Sequence, residues 1–374
     1  MKKLKIALIG LGFGGCFADI YHEHPDVGEL VVFDTDKALE KVFRDKLGIT
    51  RQYDSLDEIL KDDTVDAVHL VTPIPLHEEQ SVAVLEAGKH CACTVPMATT
   101  LEGIRKITQA KRRSGKIYMM METTLYTYQF QYVRQMRDSG RLGRIQFMRG
   151  SHYQDMSNWP DYWMGLPPMH YGTHAIGPMV ALSGSRIKRV NCFGSGTMEP
   201  WLSEHNPFPV ESALFEFENG LKGEATRSLF ETARVYQEGF FVYGSDACFE
   251  WGFADEDDPY VTTLLPMEEG RRGRSARVEV VQMPNFCASL PEEIRHFTVG
   301  GNYDPLNPQE SLKVGAGGGH HGSHPHLVNE FVRSIVEKRK PYIDEVIGGN
   351  ITAAGVCAHE SALRHGEAVM VPQF

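Results

Sequence analysis

Two stretches of this 374-residue chain carry side chains at a spacing that chemistry can use. The first is Met169-His170-Tyr171-Gly172-Thr173-His174-Ala175-Ile176-Gly177-Pro178. An imidazole titrates near neutrality and so takes up or releases a proton at working pH, and a phenol three residues away donates or relays one. His174, Tyr171 and His170 are therefore the candidate acid–base groups. The competing reading is a helix start whose histidines are buried and hydrogen bonded. The second stretch is Ile6-Ala7-Leu8-Ile9-Gly10-Leu11-Gly12-Phe13-Gly14-Gly15, a short apolar run leading into G-x-G-x-x-G at Gly10, Gly12 and Gly15.

Such a run reads as a buried parallel strand, a tight turn and a helix opening on a diphosphate. Gly10 permits the turn, Gly12 lets the backbone approach the pyrophosphate, and Gly15 lets helix and strand pack closely. Phe13 and Gly14 lie inside the same turn, and the helix start offers free N–H groups to an anion. A second apolar strand, Glu29-Leu30-Val31-Val32-Phe33, ends in Asp34, 24 residues after Gly10. A carboxylate there holds the adenosine ribose hydroxyls and repels a 2′-phosphate. No Arg follows in Thr35-Asp36-Lys37, so NAD is expected rather than NADP. Thr72-Pro73 closes a third strand where ligands bind in doubly wound sheets, with His77 placed to face the cofactor or to start a helix at the surface.

The elements that must position these groups follow from periodicity. Candidate strands at 5–9, 29–33, 66–71, 90–94 and 117–121 alternate with helical stretches such as 54–61, 76–87 and 100–114. Such alternation implies a parallel sheet covered on both faces. From about 123 the pattern changes to a helix over 124–137 and extended runs at 144–153, 186–194, 210–218, 221–230, 238–244 and 247–252. Asn219-Gly220 between two of them is a hairpin signal. A second, largely antiparallel sheet is expected. Leu327, Phe331 and Ile335 mark an amphipathic late helix, and 350–364 a final one. The chain thus divides into a dinucleotide-binding α/β domain over 1–122 and a second α/β domain over 123–374.

Composition narrows the classes. A net charge of −11 and the lack of a long basic run argue against a nucleic-acid surface. No apolar run reaches membrane-spanning length and no signal peptide precedes the first strand, so a cytoplasmic protein is expected. Seven scattered cysteines without a C-x-x-C pair suit reduced thiols. Gly317 to His326 holds four histidines in seven residues, at 320, 321, 324 and 326. Closure over a sugar by His320 and His321 ranks first for this segment, an ordinary loop second and a metal third; no metal is expected. Trp159, Tyr162 and Trp163 suit stacking on a sugar face or a subunit interface.

With Gly10 to Gly15, Asp34, Thr72-Pro73, His77 and the segment Gly88 to Pro96 in view, the N-terminal third resembles the Gfo/Idh/MocA oxidoreductases, and the remainder resembles them in layout. The resemblance implies a Rossmann domain joined to an α/β domain with an open sheet that serves substrate binding and oligomerisation, NAD or NADP as cofactor, oxidation of sugars or cyclitols, and dimers or tetramers. It also exposes a departure. The family's Glu-Lys-Pro, whose Lys assists proton transfer, is here Thr94-Val95-Pro96. Pro96 remains, and a cis Val95–Pro96 bond is expected. His174 matches the family's substrate-site histidine, and His170 stands where the family often has an Asp.

One branch is more similar still, the NAD-dependent exo-glycosidases of α-N-acetylgalactosaminidase type. The likeness rests on Val95-Pro96, on Met119-Met120-Met121-Glu122, and on Tyr171 to Pro178, and the branch has a similar Gly-His-rich segment. It implies a redox-neutral reaction: oxidation at C3, loss of the C2 proton, departure of the aglycone from C1, water addition and reduction. Glu122 is then expected to reach cofactor or sugar, with Thr94 and Pro96 also at the cofactor. Three functions stay open at this point: a dehydrogenase that releases NADH, a glycosidase that recycles NAD internally, and a nucleotide-binding protein without catalysis.

Overall fold

The computed structural model describes residues 2–202, 206–255, 257–299 and 319–374. The chain folds as two compact units. The first holds residues 1–128, 285–349 and 374; the second holds 129–284 and 350–373. A single division after residue 122 therefore misplaces a long segment, because 285–349 returns to the first unit.

In the first unit, β1 (Leu4–Ile9), β2 (Val27–Phe33), β3 (Ala67–Leu70), β4 (His90–Cys93) and β5 (Tyr118–Met120) form one parallel sheet in the order β2-β1-β3-β4-β5. Order reverses beside β1, the switch point at which such sheets bind ligands. The crossovers are α1 (Gly15–Glu23), α2 (Lys37–Leu47), α3 (Leu56–Lys61), α4 (His77–Glu86) and α5 (Leu101–Ser114). Their ends obey ordinary capping chemistry. Asp36, Ser55 and Thr100 accept the first free N–H groups of α2, α3 and α5, while Gly48 and Gly115 close α2 and α5 in the left-handed conformation. All six residues of β1 are buried, as a strand covered on both faces requires.

The second unit begins with α6 (Tyr128–Asp138) and is built on nine strands in the order β13-β12-β11-β10-β6-β9-β8-β7-β14. They are β6 (Ile145–Tyr153), β7 (Ile187–Ser195), β8 (Val210–Phe217), β9 (Lys222–Ser228), β10 (Gln237–Gly244), β11 (Ala247–Glu250), β12 (Tyr260–Leu264), β13 (Ala276–Val280) and β14 (Val369–Met370). Only β6–β9 is parallel; every other neighbour pair runs antiparallel. Asn219-Gly220 makes the β8–β9 turn, with Gly220 at φ 90°. β12, β13 and β14 escaped the sequence reading because each is a short run, and β13 and β14 are the exposed edges of the sheet. Helix α7 (Thr173–Ser183) packs on β6, and Gly150 allows it: a Cβ there would lie 2.0 Å from the Ala175 carbonyl oxygen. Of the late helices, α8 (Gly319–Glu337), with Leu327, Phe331 and Ile335 buried as expected, belongs to the first unit, and α9 (Glu345–Leu363) lies mostly in the second. Among the described residues, no helix is long and apolar enough to cross a membrane, and all seven cysteines are free.

His69 sits wholly inside the parallel sheet, its ring 4.8 Å from that of Phe17 and its Nδ1 3.2 Å from the Tyr21 hydroxyl. Burial pushes its pKa down to about 3, and that of His90 down to about 4. Both are neutral when folded and protonate near 6.5 when unfolded, so the stability they confer is complete above 6.5 and is lost as pH falls towards 4 and below. The loss is about 1.4 kcal/mol per pH unit per group. Thermal melts between pH 7.5 and 4.5 are expected to show a falling midpoint, with a shallower slope in His69→Gln.

Candidate active site

The cofactor turn is fixed by backbone crowding. Gly10 has φ 86°, and a Cβ there would lie 2.3 Å from the Val71 carbonyl oxygen. A Cβ on Gly14 would lie 1.9 Å from the Gly10 carbonyl oxygen, whereas one on Gly12 would meet nothing within 4 Å. The turn is thus shut on its protein side and open over Gly12, and Gly15 begins α1. Asp34 accepts N–H bonds from Leu11 at 2.6 Å and from Asp36 at 2.8 Å, which ties the end of β2 to the turn. An open cradle, a helix start and an acid at the β2 end fit the groups of a dinucleotide.

The other expected cofactor residues fall into two sets. Thr72 donates its hydroxyl to Gln80 at 2.6 Å, and Pro73 starts the turn into α4. Thr94 donates both its N–H and its hydroxyl to the Leu70 carbonyl, and the Val95–Pro96 bond is cis. Pro96 and Thr72 meet through His77, whose Nδ1 lies 2.7 Å from the Pro96 carbonyl oxygen and whose Nε2 lies 2.8 Å from that of Thr72. His77 is therefore a buried strut between two loops rather than a group facing the cofactor. Burial pushes its pKa down, but the Cys93 sulfur and the two carbonyls outweigh this and hold it up at about 9. Glu122 is also buried, and its carboxylate caps the turn at Thr123–Tyr126 by accepting the Thr124 N–H at 3.1 Å.

The histidine-rich segment belongs to the first unit. Gly317 and Gly318 lie outside the described residues. His320 and His321 hold positive φ of 45° and 50° before the body of α8. Phe13 of the glycine turn lies edge-on to His320 at 5.8 Å and to His324 at 5.7 Å, while His321 lies edge-on to Tyr128 at 5.4 Å. His320 and His324 thus make aromatic contact with the cofactor turn, whereas His321 meets Tyr128.

The second unit gathers the acid–base residues. His152 on β6 stands directly across from Glu238 on β10 and beside Arg227 on β9, so the three form one row over three strands and point to one face. All are buried. From α7, His174 joins this row: its Nε2 lies 3.8 Å from Glu238 Oε1, as does His152 Nε2, and 3.4 Å from the Tyr171 hydroxyl. Tyr236 donates its hydroxyl to the same Glu238 oxygen. Arg227 donates to the carbonyls of Tyr171 and His152, each at 3.1 Å, to that of Ser228, and to Gln154 Oε1 at 3.2 Å. Its guanidinium lies 5.4 Å from the Tyr171 ring centre. Burial pulls its pKa down to about 10, against the upward pull of Tyr171, Tyr236 and Glu238.

Aromatic packing completes the site. Trp163 meets Tyr171 edge-to-face at 4.7 Å and 90°, and the half-exposed Trp159 meets Trp163 at 5.8 Å. His170 stands elsewhere. Its ring lies 5.1 Å from that of His359, whose Nδ1 is 2.6 Å from Glu211; that carboxylate also accepts the Met169 N–H at 2.8 Å. Burial, with His359 adding to it, lowers the His170 pKa to about 3. Of the three residues that sequence reasoning grouped, the structure brings Tyr171 and His174 together and packs His170 in a separate pair. Sequence reasoning missed His152, Arg227, Tyr236 and Glu238. Their one sequence signal is polar side chains on the inward phase of otherwise apolar strands.

Known proteins give the fold and site a family. A family model described as an oxidoreductase family with an NAD-binding Rossmann fold matches residues 4–122, and one described as the GFO/IDH/MocA C-terminal domain matches 130–250. The chain belongs to the Gfo/Idh/MocA family, and its first unit carries that family's NAD-binding Rossmann domain. It is similar to a glycosyl hydrolase family 109 protein of Porphyromonas gingivalis, 25% identical over 72% of this chain and 63% of that one. It is 22% identical to a myo-inositol 2-dehydrogenase of Thermotoga maritima, over 92% of this chain and all of that one. In fold it matches levoglucosan dehydrogenase in complex with NADH and levoglucosan, with a TM-score of 0.76 at 20% identity over 99% of this chain and 100% of that one. The chain spans 53% and 63% of the length of two of the curated relatives it matches.

A methyl group on Gly12 meets open space in the protein and would meet a dinucleotide lying across the turn. Gly12→Ala is therefore expected to keep the wild-type melting temperature within about 2 °C. NADH affinity, read by fluorescence titration, is expected to fall by about tenfold or more, the effect of roughly 1.4 kcal/mol.

Proposed function

We propose that the protein is an NAD-dependent oxidoreductase acting on a sugar or glycoside by hydride transfer at a ring carbon. The observation that carries this reading is the pairing of partly exposed Tyr171 with buried His174, 3.4 Å apart, set against Glu238 and fastened by Arg227. Bound NAD supplies the site for the hydride. The residues of this chain must then manage the protons, and Val95 offers none where the family has Lys. Tyr171 suits the hydroxyl proton: Arg227 fixes its backbone, Trp163 fixes its ring, and His174 polarises its oxygen. Trp159 and Trp163 offer apolar ring faces of the kind that stack on sugars. By contact, His320 goes with the cofactor turn rather than with these rings.

A second reading is favoured by the pairing of two proton-transfer groups. Removal of a hydroxyl proton needs one group, and removal of a proton beside the resulting ketone needs another. A redox-neutral glycoside hydrolase that retains NAD needs both, and relatives named glycosyl hydrolase family 109 support it. The division of labour proposed is a cofactor unit and a substrate unit. A cytoplasmic homodimer or homotetramer is proposed with it, through the open sheet of the second unit, where Phe193 and Leu214 stand exposed.

Aryl glycosides incubated with the purified protein in heavy water, with no added NAD, separate the readings. Aglycone release with deuterium at C2 supports the hydrolase. NADH absorbance that grows with added NAD and sugar supports the dehydrogenase, and no response to any sugar by NAD-loaded protein overturns both. Tyr171→Phe is expected to lower kcat by about 10²- to 10⁴-fold, with NADH affinity and melting temperature unchanged.

A further inference from the structure

We propose that His152, His174 and Glu238 form a binding site for a first-row divalent cation, with zinc as the simplest occupant. Among the described residues this is the one group of His, Cys, Asp and Glu side chains close enough to share an ion: one ligand atom from each, all within 4.8 Å of one another. The proposal rests on the placement of these side chains and needs neither a sugar nor NAD.

The two imidazole–carboxylate separations favour a shared ion over direct bonding, and the two imidazoles need to stand no more than about 4.2 Å apart to join it. Each imidazole Nε2 lies 3.8 Å from Glu238 Oε1, too far for a hydrogen bond. Two ligands on a zinc ion with bonds of about 2.1 Å stand about 3.4 Å apart at the tetrahedral angle and about 3.8 Å apart at roughly 130°. The donor set points the same way. Two imidazoles and one carboxylate suit zinc, iron or manganese, whereas magnesium and calcium prefer oxygen alone. Three protein ligands leave a coordination position for an oxygen of water or substrate.

The surroundings hold the three donors in place. They come from β6, β10 and α7, and the close approach at Gly150 brings α7 onto β6. Tyr236 donates to Glu238 Oε1, a partner of the kind that orients a metal ligand, and Arg227 holds the His152 backbone through its carbonyl. An ion bound here would engage the His174 Nε2 that otherwise faces the Tyr171 hydroxyl, leaving Tyr171 as the proton-transfer group of the loaded site.

Metal uptake by the full chain tests this directly. The protein is stripped with a chelator, dialysed and titrated with Co2+ and Zn2+ in the absence of sugar. The expected result is one equivalent per chain, visible Co2+ d–d bands without a thiolate charge-transfer band, and a rise in melting temperature with Zn2+. His152→Ala and Glu238→Gln, with wild-type NADH affinity as the folding control, are each expected to weaken Zn2+ binding by about 100-fold. His320→Ala/His324→Ala is expected to bind as the wild type does. The proposal is overturned by a wild type that takes up no Co2+, by a thiolate charge-transfer band, or by loss of binding in the His320/His324 variant instead. Should either ligand variant fail to fold, the wild-type spectrum and stoichiometry decide the matter alone.

Discussion

A buried guanidinium dictates much of the second unit. Arg227 has no exposed surface, and a charge so placed is stable only when its donors are met. Three carbonyl oxygens and Gln154 meet them. Those carbonyls belong to Tyr171, His152 and Ser228, so satisfying one charge fixes the chain leading into α7, the middle strand of the sheet and β9 itself. Removing one partner of such a buried charge costs about 3–5 kcal/mol. That scale makes the Tyr171 backbone position a consequence of electrostatics rather than of loop preference. Glu238, one strand beyond His152, supplies the balancing negative charge.

The first unit is governed by a different constraint, the exclusion of side chains. Gly10 and Gly14 are held by contacts that admit no Cβ, so the turn cannot relax towards the protein. The loops after β3 and β4 are then drawn together by His77, which uses both ring nitrogens on carbonyl oxygens. Neutral imidazole has only one N–H, so two acceptors favour the protonated ring. The Cys93 sulfur helps to hold that charge. A rigid floor for the dinucleotide thus arises from two glycines and one cation, with Asp34 closing the side.

Local signals explain what the sequence revealed and what it hid. The glycine turn, Asp34 and the alternating strands and helices were legible because each rests on neighbours within one βαβ unit. The pair Tyr171 and His174 was legible because both stand within one turn of chain. The row Arg227–His152–Glu238 was not, since β6 enters the sheet between β9 and β10, strands more than 65 residues later in sequence. No periodicity within a strand states its neighbour in a mixed sheet. His170 misled for the same reason: its partners, His359 and Glu211, come from α9 and β8. The segment 285–349 likewise left the unit that its position in the chain suggested.

Charge arithmetic joins the site to its chemistry. Arg227 and Glu238 carry opposite charges, so the row can be buried with its fixed charges balanced. A divalent ion among His152, His174 and Glu238 would shift that balance to an excess of two positive charges in a place that water scarcely reaches. Such a site binds an anion far more readily than a neutral ligand, because the electrostatic gain is large where the dielectric is low. The anions that a sugar offers are an alkoxide, formed as a carbinol gives up its proton, and an enolate, formed beside a ring ketone. Both are the charged species that hydride removal and α-proton removal must pass through. A row of polar residues whose fixed charges balance until an ion loads it would therefore favour the reacting state of the substrate over its ground state, which is the difference that catalysis requires.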